Sequence, residues 1–132
     1  WAPGKINAGR VDQLASQIDV APTLLGLMNM RYESHFFGSD ILLPGSPQRA
    51  LLANYQTVGW YQDGLVIELK PGARTRVVDA TTGVEREADS VSDAMTAQAI
   101  SYYQLASESF GNGAMKLSDT HAGAVGGAAR AP

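Results

Sequence analysis

Cysteine is absent from the 132 residues. That excludes disulfides, thiolate nucleophiles and Cys-based zinc sites from this chain. It does not fix a compartment, because periplasmic proteins often lack cysteine too. No apolar run approaches the roughly 20 residues needed to cross a bilayer. Clustered positive charge is missing as well: ten Lys and Arg residues lie scattered among thirteen Asp and Glu, for a net charge of −3. Nucleic-acid binding needs a basic patch to replace counterions, so that class of partner is excluded. No internal repeat is apparent, and the opening residues do not read as a signal peptide. The chain opens on Trp1-Ala2-Pro3-Gly4-Lys5 rather than on Met, which reads as a frayed strand end entering a turn. The expectation is a segment of a longer protein.

What is present suits one small domain with a modest core, since 45% of residues are hydrophobic and 17% charged. In residues 11–30, Val11, Leu14, Ala15 and Ile18 follow helical spacing, while Asp19 and Pro22 punctuate the run. An extended stretch through Ser16-Gln17-Ile18 fits equally well. Asp19 is expected to cap a helix with its carboxylate, and Pro22 sits in the first turn where a missing N–H costs little. Leu24, Leu25, Leu27 and Met28 form the face to be buried. Asn29, tolerant of left-handed backbone, ends the helix.

Residues 31–49 read as a loop with an apolar plug at Phe36-Phe37. Four short strands follow, over 49–55, 57–62, 65–69 and 74–80, with turn signals at Asp63-Gly64 and Pro71-Gly72. An antiparallel meander results, with Leu52, Val58, Trp60, Val66 and Val78 expected on one face. Glu85-Arg86-Glu87 reads as a solvated linker. A second helix over 89–110 is expected to open on a Ser90/Asp93 capping box and to stop at Gly111. Its apolar positions are Val91, Ala94, Met95, Ala99, Tyr102, Ala106 and Phe110. From Gly111 to Pro132 large apolar residues are scarce, so the tail cannot offset its ordering entropy and disorder is expected. The segment is therefore α+β: a short helix, a four-stranded antiparallel meander and a C-terminal helix. Its divisions are 1–47, 48–110 and 111–132.

Ser16-Gln17-Ile18-Asp19-Val20-Ala21-Pro22-Thr23-Leu24-Leu25-Gly26-Leu27-Met28 resembles a signature near the C-terminal end of sulfatase-fold domains of the alkaline phosphatase superfamily. Ala2-Pro3-Gly4-Lys5-Ile6 is similar to the segment where a core strand of that family emerges. Phe37-Gly38-Ser39-Asp40-Ile41-Leu42 is similar to a loop of the branch of lipoteichoic-acid-synthase-like phosphoglycerol transferases. Asn29 departs from the Gly usual in the family, though both accept the same backbone.

The resemblance covers roughly residues 1–110 and implies an α/β parent, of which residues 1–47 end the sulfatase-like core and 48–110 form a C-terminal subdomain. It implies chemistry on phosphate or sulfate esters, phosphoglycerol transfer foremost, at a divalent metal (Mn, Mg, Ca or Zn). It also implies an inner-membrane anchor, a catalytic domain in the periplasm or outside the cell, and a lipid or glycan substrate. The segment itself is expected to be soluble and to pack on the upstream catalytic core of the same polypeptide. The family's nucleophile is a Thr or a cysteine-derived formylglycine, and its late metal ligands are an Asp-His pair. No Asp-His dipeptide occurs in this sequence, and Thr23 belongs to a different motif. Catalytic, cofactor-binding and metal-ligating residues are thus all expected to be none in this segment.

Individual candidates read blandly. His35, with Glu33 and Asp40 nearby, lacks ligand pairs at helical spacing, and His121 stands in the Gly-Ala tail. Gly123 to Gly127 is no phosphate loop, having no preceding strand and no Lys or Ser/Thr to complete it. Trp60, Tyr61 and Tyr55 are the basis of an alternative from another class: a free-standing glycan- or protein-binding module that uses the sheet's aromatic face. A non-functional remnant, prone to aggregate through Leu24-Leu25, is the third reading.

Overall fold

The Asp63-Gly64 pair sets the centre of the sheet. In the computed structural model of the chain, which describes residues 7–116, both residues have positive φ, 50° and 78°. Positive φ at both central positions marks the type I′ turn, whose twist suits paired strands. It joins β2 (Val58–Gln62) to β3 (Leu65–Lys70), with Gln62 opposite Leu65. β1 (Ala50–Ala53) pairs with the other edge of β2, and Asn54 Oδ1 closes the intervening turn by accepting the N–H groups of Gln56 and Thr57. β4 (Arg74–Asp79) returns along β3. The four-strand meander gains a fifth, two-residue strand, β5 (Glu85–Arg86), where a linker was expected. Asp79 makes that extension possible: its Oδ1 accepts the N–H groups of Thr81 and Thr82, turning the chain back onto β4. The order is β1-β2-β3-β4-β5, antiparallel throughout.

Register corrects the expected face. Leu51, Trp60, Ile67 and Val77 stand opposite one another across β1 to β4, and Val58 shares their side. Leu52, Val66 and Val78 lie on the reverse. The reason is parity: a two-residue turn pairs Gln62 with Leu65, so even positions on β2 meet odd positions on β3.

Helix α2 (Ser90–Gly111) packs on β2 and β3. Its cap lies one residue earlier than expected. Asp89 Oδ1 accepts the Ser92 N–H at 2.8 Å, and Ser92 Oγ accepts the Asp89 N–H at 2.8 Å. Ser92 closes a capping box from the third helical position because its buried hydroxyl reaches back. Met95 and Ala99 meet Trp60, Leu65, Ile67 and Val77 in the core, with Leu51, Leu69 and Tyr102 at its margin. Ile67 and Ala99 are fully buried. Val91, Ala94 and Phe110, expected on the buried face, are exposed; Phe110 is in the last turn, past the sheet. The helix runs through Gly111 and is capped by Asn112.

Before the sheet, a 3-10 turn (Gln17–Asp19) runs into helix α1 (Val20–Leu27). Asn29 has φ 53°, as its type suggested. The Asn29 N–H donates to Gly26 and the Met30 N–H to Leu25, which completes a Schellman ending. The α+β class read from the sequence is the one observed. The strand end expected before Asn7, and the tail from residue 117 with His121 and the Gly123 to Gly127 stretch, lie outside the described residues. None of the described helices is long and apolar enough to cross a membrane.

Candidate functional site

Asp19 stands at the N-cap position of α1, as expected, but its carboxylate does not do the capping. Its own backbone is already helical, closing the 3-10 turn, and its carboxylate makes no bond to the amides of α1. The side chain turns back and inward and is 3% exposed. Oδ2 accepts the Ser16 N–H at 2.8 Å and the Ser16 hydroxyl at 3.0 Å. Oδ1 accepts the Ser39 N–H at 2.9 Å. Arg49, 5% exposed and immediately before β1, supplies the counter-charge with Nη1 at 3.0 Å from Oδ2 and Nη2 at 3.3 Å from Oδ1. This fork-on-fork arrangement suits a guanidinium better than an ammonium.

Arg49 is bound on its far side as well. Nη2 donates to Tyr102 Oη at 3.3 Å and to the Phe37 carbonyl at 3.5 Å, while the Tyr102 hydroxyl donates to the same carbonyl. The guanidinium carbon lies 5.5 Å from the Tyr102 ring centroid. Phe37 and Trp60 both meet that ring edge-on, at 5.8 and 5.7 Å. One cluster therefore joins the 3-10 turn, the Phe37 loop, the start of β1 and the middle of α2.

The geometry is that of an anchor. A carboxylate offers about four lone-pair directions, and those of Asp19 are taken. Burial pushes its pKa up, but the Arg49 guanidinium, then the Ser39 and Ser16 donors, outweigh it and hold the carboxyl below its ordinary 3.8. A carboxylate so stabilised is a poor general base. Burial pushes the Tyr102 phenol up, with Arg49 opposing, so this hydroxyl stays protonated and serves as a donor.

The Asp-Val-Ala-Pro-Thr motif completes the same construction. Thr23 Oγ1 donates to the Asp19 carbonyl at 2.6 Å and accepts the Ile41 N–H at 3.2 Å. The 38–41 loop is thereby pressed onto α1. A Cβ on Gly38 would fall 1.9 Å from the Ile18 carbonyl oxygen, and one on Gly26 would fall 2.1 Å from Asp40 Oδ2. The Gly38 site cannot yield, because its neighbour is backbone.

The other candidates are not brought together. His35 is exposed, and no three His, Cys, Asp or Glu side chains among the described residues are placed to hold a metal ion. The aromatic platform is dispersed: Trp60 is buried under α2, Tyr61 points to the opposite face, and Tyr55 stands in the β1–β2 turn, 97% exposed. Sequence reasoning missed Arg49, which reads only as the polar edge of an apolar run. The Asp19 partnership spans thirty positions, and a lone Arg before Ala50-Leu51-Leu52-Ala53 was its only local trace.

The leucine face of α1 is uncovered. Val20, Leu24, Leu27 and Met28 are all exposed, and only Pro22 of that helix is buried. Of the face expected to be buried, Leu24, Leu27 and Met28 are exposed and Leu25 is half-buried, so the described residues do not cover it; the expected cover was a core outside these residues.

No family model matches the chain, and no curated protein does. Among solved structures, its fold is similar to part of a protein in the alkaline phosphatase superfamily from Vibrio parahaemolyticus. The two are 24% identical, with a TM-score of 0.65. The match covers 81% of this chain and 27% of that one, so this chain spans about a quarter of the length of that structure.

Proposed function

We propose that this chain is the C-terminal part of a sulfatase-like enzyme of the alkaline phosphatase superfamily, acting on phosphate or sulfate esters. Within that enzyme it is a structural element: α1 lays its leucine face on the upstream catalytic core, and the sheet with α2 supports a wall of the substrate groove. The observation that carries this reading is the exposed row Val20, Leu24, Leu27 and Met28 in a fold that matches a 27% portion of a superfamily structure. An apolar helix face of this kind costs free energy in water and is relieved by a neighbour.

The finer reading is phosphoglycerol transfer by a membrane-anchored protein whose catalytic domain lies in the periplasm or outside the cell. It is supported by the likeness of Phe37-Gly38-Ser39-Asp40-Ile41-Leu42 to the transferase branch. The catalytic residues and the divalent metal, whether Mn, Mg, Ca or Zn, then belong to the remainder of the polypeptide. The described residues do not fit a metal centre, since no three suitable donors converge, and no chemical step is assigned to them.

The test is to read the codons upstream of Trp1, express the complete reading frame, and assay it with phosphate, sulfate and glycerol-phosphate esters, with and without chelator. An Asp-His pair, a Thr or Cys nucleophile and chelator-sensitive turnover are expected. A complete frame lacking both motifs would overturn the enzymatic reading.

A further inference from the structure

Between Asn7 and Gln48 only Asp19 and Pro22 are buried, and every buried hydrophobic residue of the core lies at Ala50 or beyond. The stretch is nevertheless well tied within itself. Ser39 bonds to Asp19, Ile41 to Thr23, and the Ser46 hydroxyl to the Asp40 carbonyl. Leu14 N–H and the Gln13 amide meet Gln48 within it too. Bonds crossing from it converge on two residues: Ser16 and Asp19 meet Arg49, and the Phe37 carbonyl meets Arg49 and Tyr102. Apart from the edge-on Phe37–Tyr102 ring contact, the crossing bonds are thus polar and centred on one guanidinium, whereas the sheet and α2 have their own apolar core.

We propose that Arg49 is a latch: residues 14–41 close onto the sheet–helix unit through it and open as a body of their own when it is disabled. Buried ion pairs respond to loss of one partner far more than to most surface changes, because the remaining charge is left uncompensated. Regions without buried apolar contacts open below the global unfolding threshold. Here both conditions meet at one residue, and the latch sets how the α1 leucine face is held relative to the sheet. The inference stands whether or not the enzymatic reading does.

Amide hydrogen exchange on the full chain tests it, comparing the native protein with Arg49→Met, Asp19→Asn and the milder Arg49→Lys. With Met or Asn, exchange at Ser16, Ser39 and Ile41 is expected to accelerate on the order of 100-fold. Amides of β2, β3 and β4 should stay within about twofold of native. Arg49→Lys, which keeps the charge and loses the fork, should give the same pattern with a smaller factor. If the strands and the 14–41 amides accelerate by one common factor, including through failure of a variant to fold, the chain is one cooperative unit and the latch is refuted. Undiminished protection at Ser39 and Ile41 in Arg49→Met would refute it equally.

Discussion

Asp19 carries the clearest pH dependence in the molecule. Its carboxyl is held below 3.8 in the folded state, where burial is outweighed by Arg49, Ser39 and Ser16. The unfolded chain therefore binds the proton more readily, and the stabilisation from this group is complete above about 3.8. It is lost as pH falls through the lowered folded value. The Ser39 amide resonance, followed by NMR during acid titration, should report a midpoint below 3.8, and Asp19→Asn should abolish that step. A midpoint at or above 3.8 would contradict the ion-pair account. Gly38 offers a second residue-level test. Its Cβ position collides with the Ile18 carbonyl, so Gly38→Ala should destabilise the 14–41 region by about 1–3 kcal/mol or more. Local opening measured by exchange at Ser39 would show it.

Among the elements, α2 and the central hairpin give opposed pairs of substitutions. Asp89→Ala removes an observed cap and should cost about 1 kcal/mol in denaturant unfolding. Ser90→Ala, at the neighbouring position that sequence favoured, should stay within about 0.5 kcal/mol. Ile67→Ala opens a cavity under α2 and should cost about 2–5 kcal/mol, whereas Val66→Ala, on the reverse face, should cost clearly less.

These pairs also mark where the sequence was legible. Asp63-Gly64, Asn29 and the apolar strand runs named their elements because each depends on chemistry within a few residues. Which side of the sheet Trp60 shares with Ile67 depended on turn parity, and the Asp89 cap depended on a serine hydroxyl substituting for a longer acid. Asp19 was placed correctly at the start of α1, but its carboxylate was wrongly expected to bond the amides of that helix. Its true partner was brought near only by the fold, and no periodicity encodes a contact between positions 19 and 49.

At the scale of the whole molecule, the described residues form one apolar core and leave the apolar face of α1 bare. Leu24→Lys and Leu27→Glu, each on the uncovered side of α1, should leave the thermal midpoint within about 2 °C of native, since neither side chain is buried here. Both should reduce binding of an environment-sensitive hydrophobic dye and raise solubility. A large loss of stability would mean that the leucine face already has a partner within this chain.

The reverse of the sheet carries a ladder of charges. Glu68 bonds Lys70 at 3.1 Å and Arg76 at 3.5 Å, and Arg76 bonds Glu85 at 2.7 Å. All four keep their heads in water, with side chains between 27% and 62% exposed. A large body settling over that ladder would strip hydration from four ions whose mutual attraction is too weak to compensate. If the proposed packing on a catalytic core holds, the neighbour is expected on the greasy flank of α1 and away from this ladder, which would leave the charged end of the sheet facing solvent.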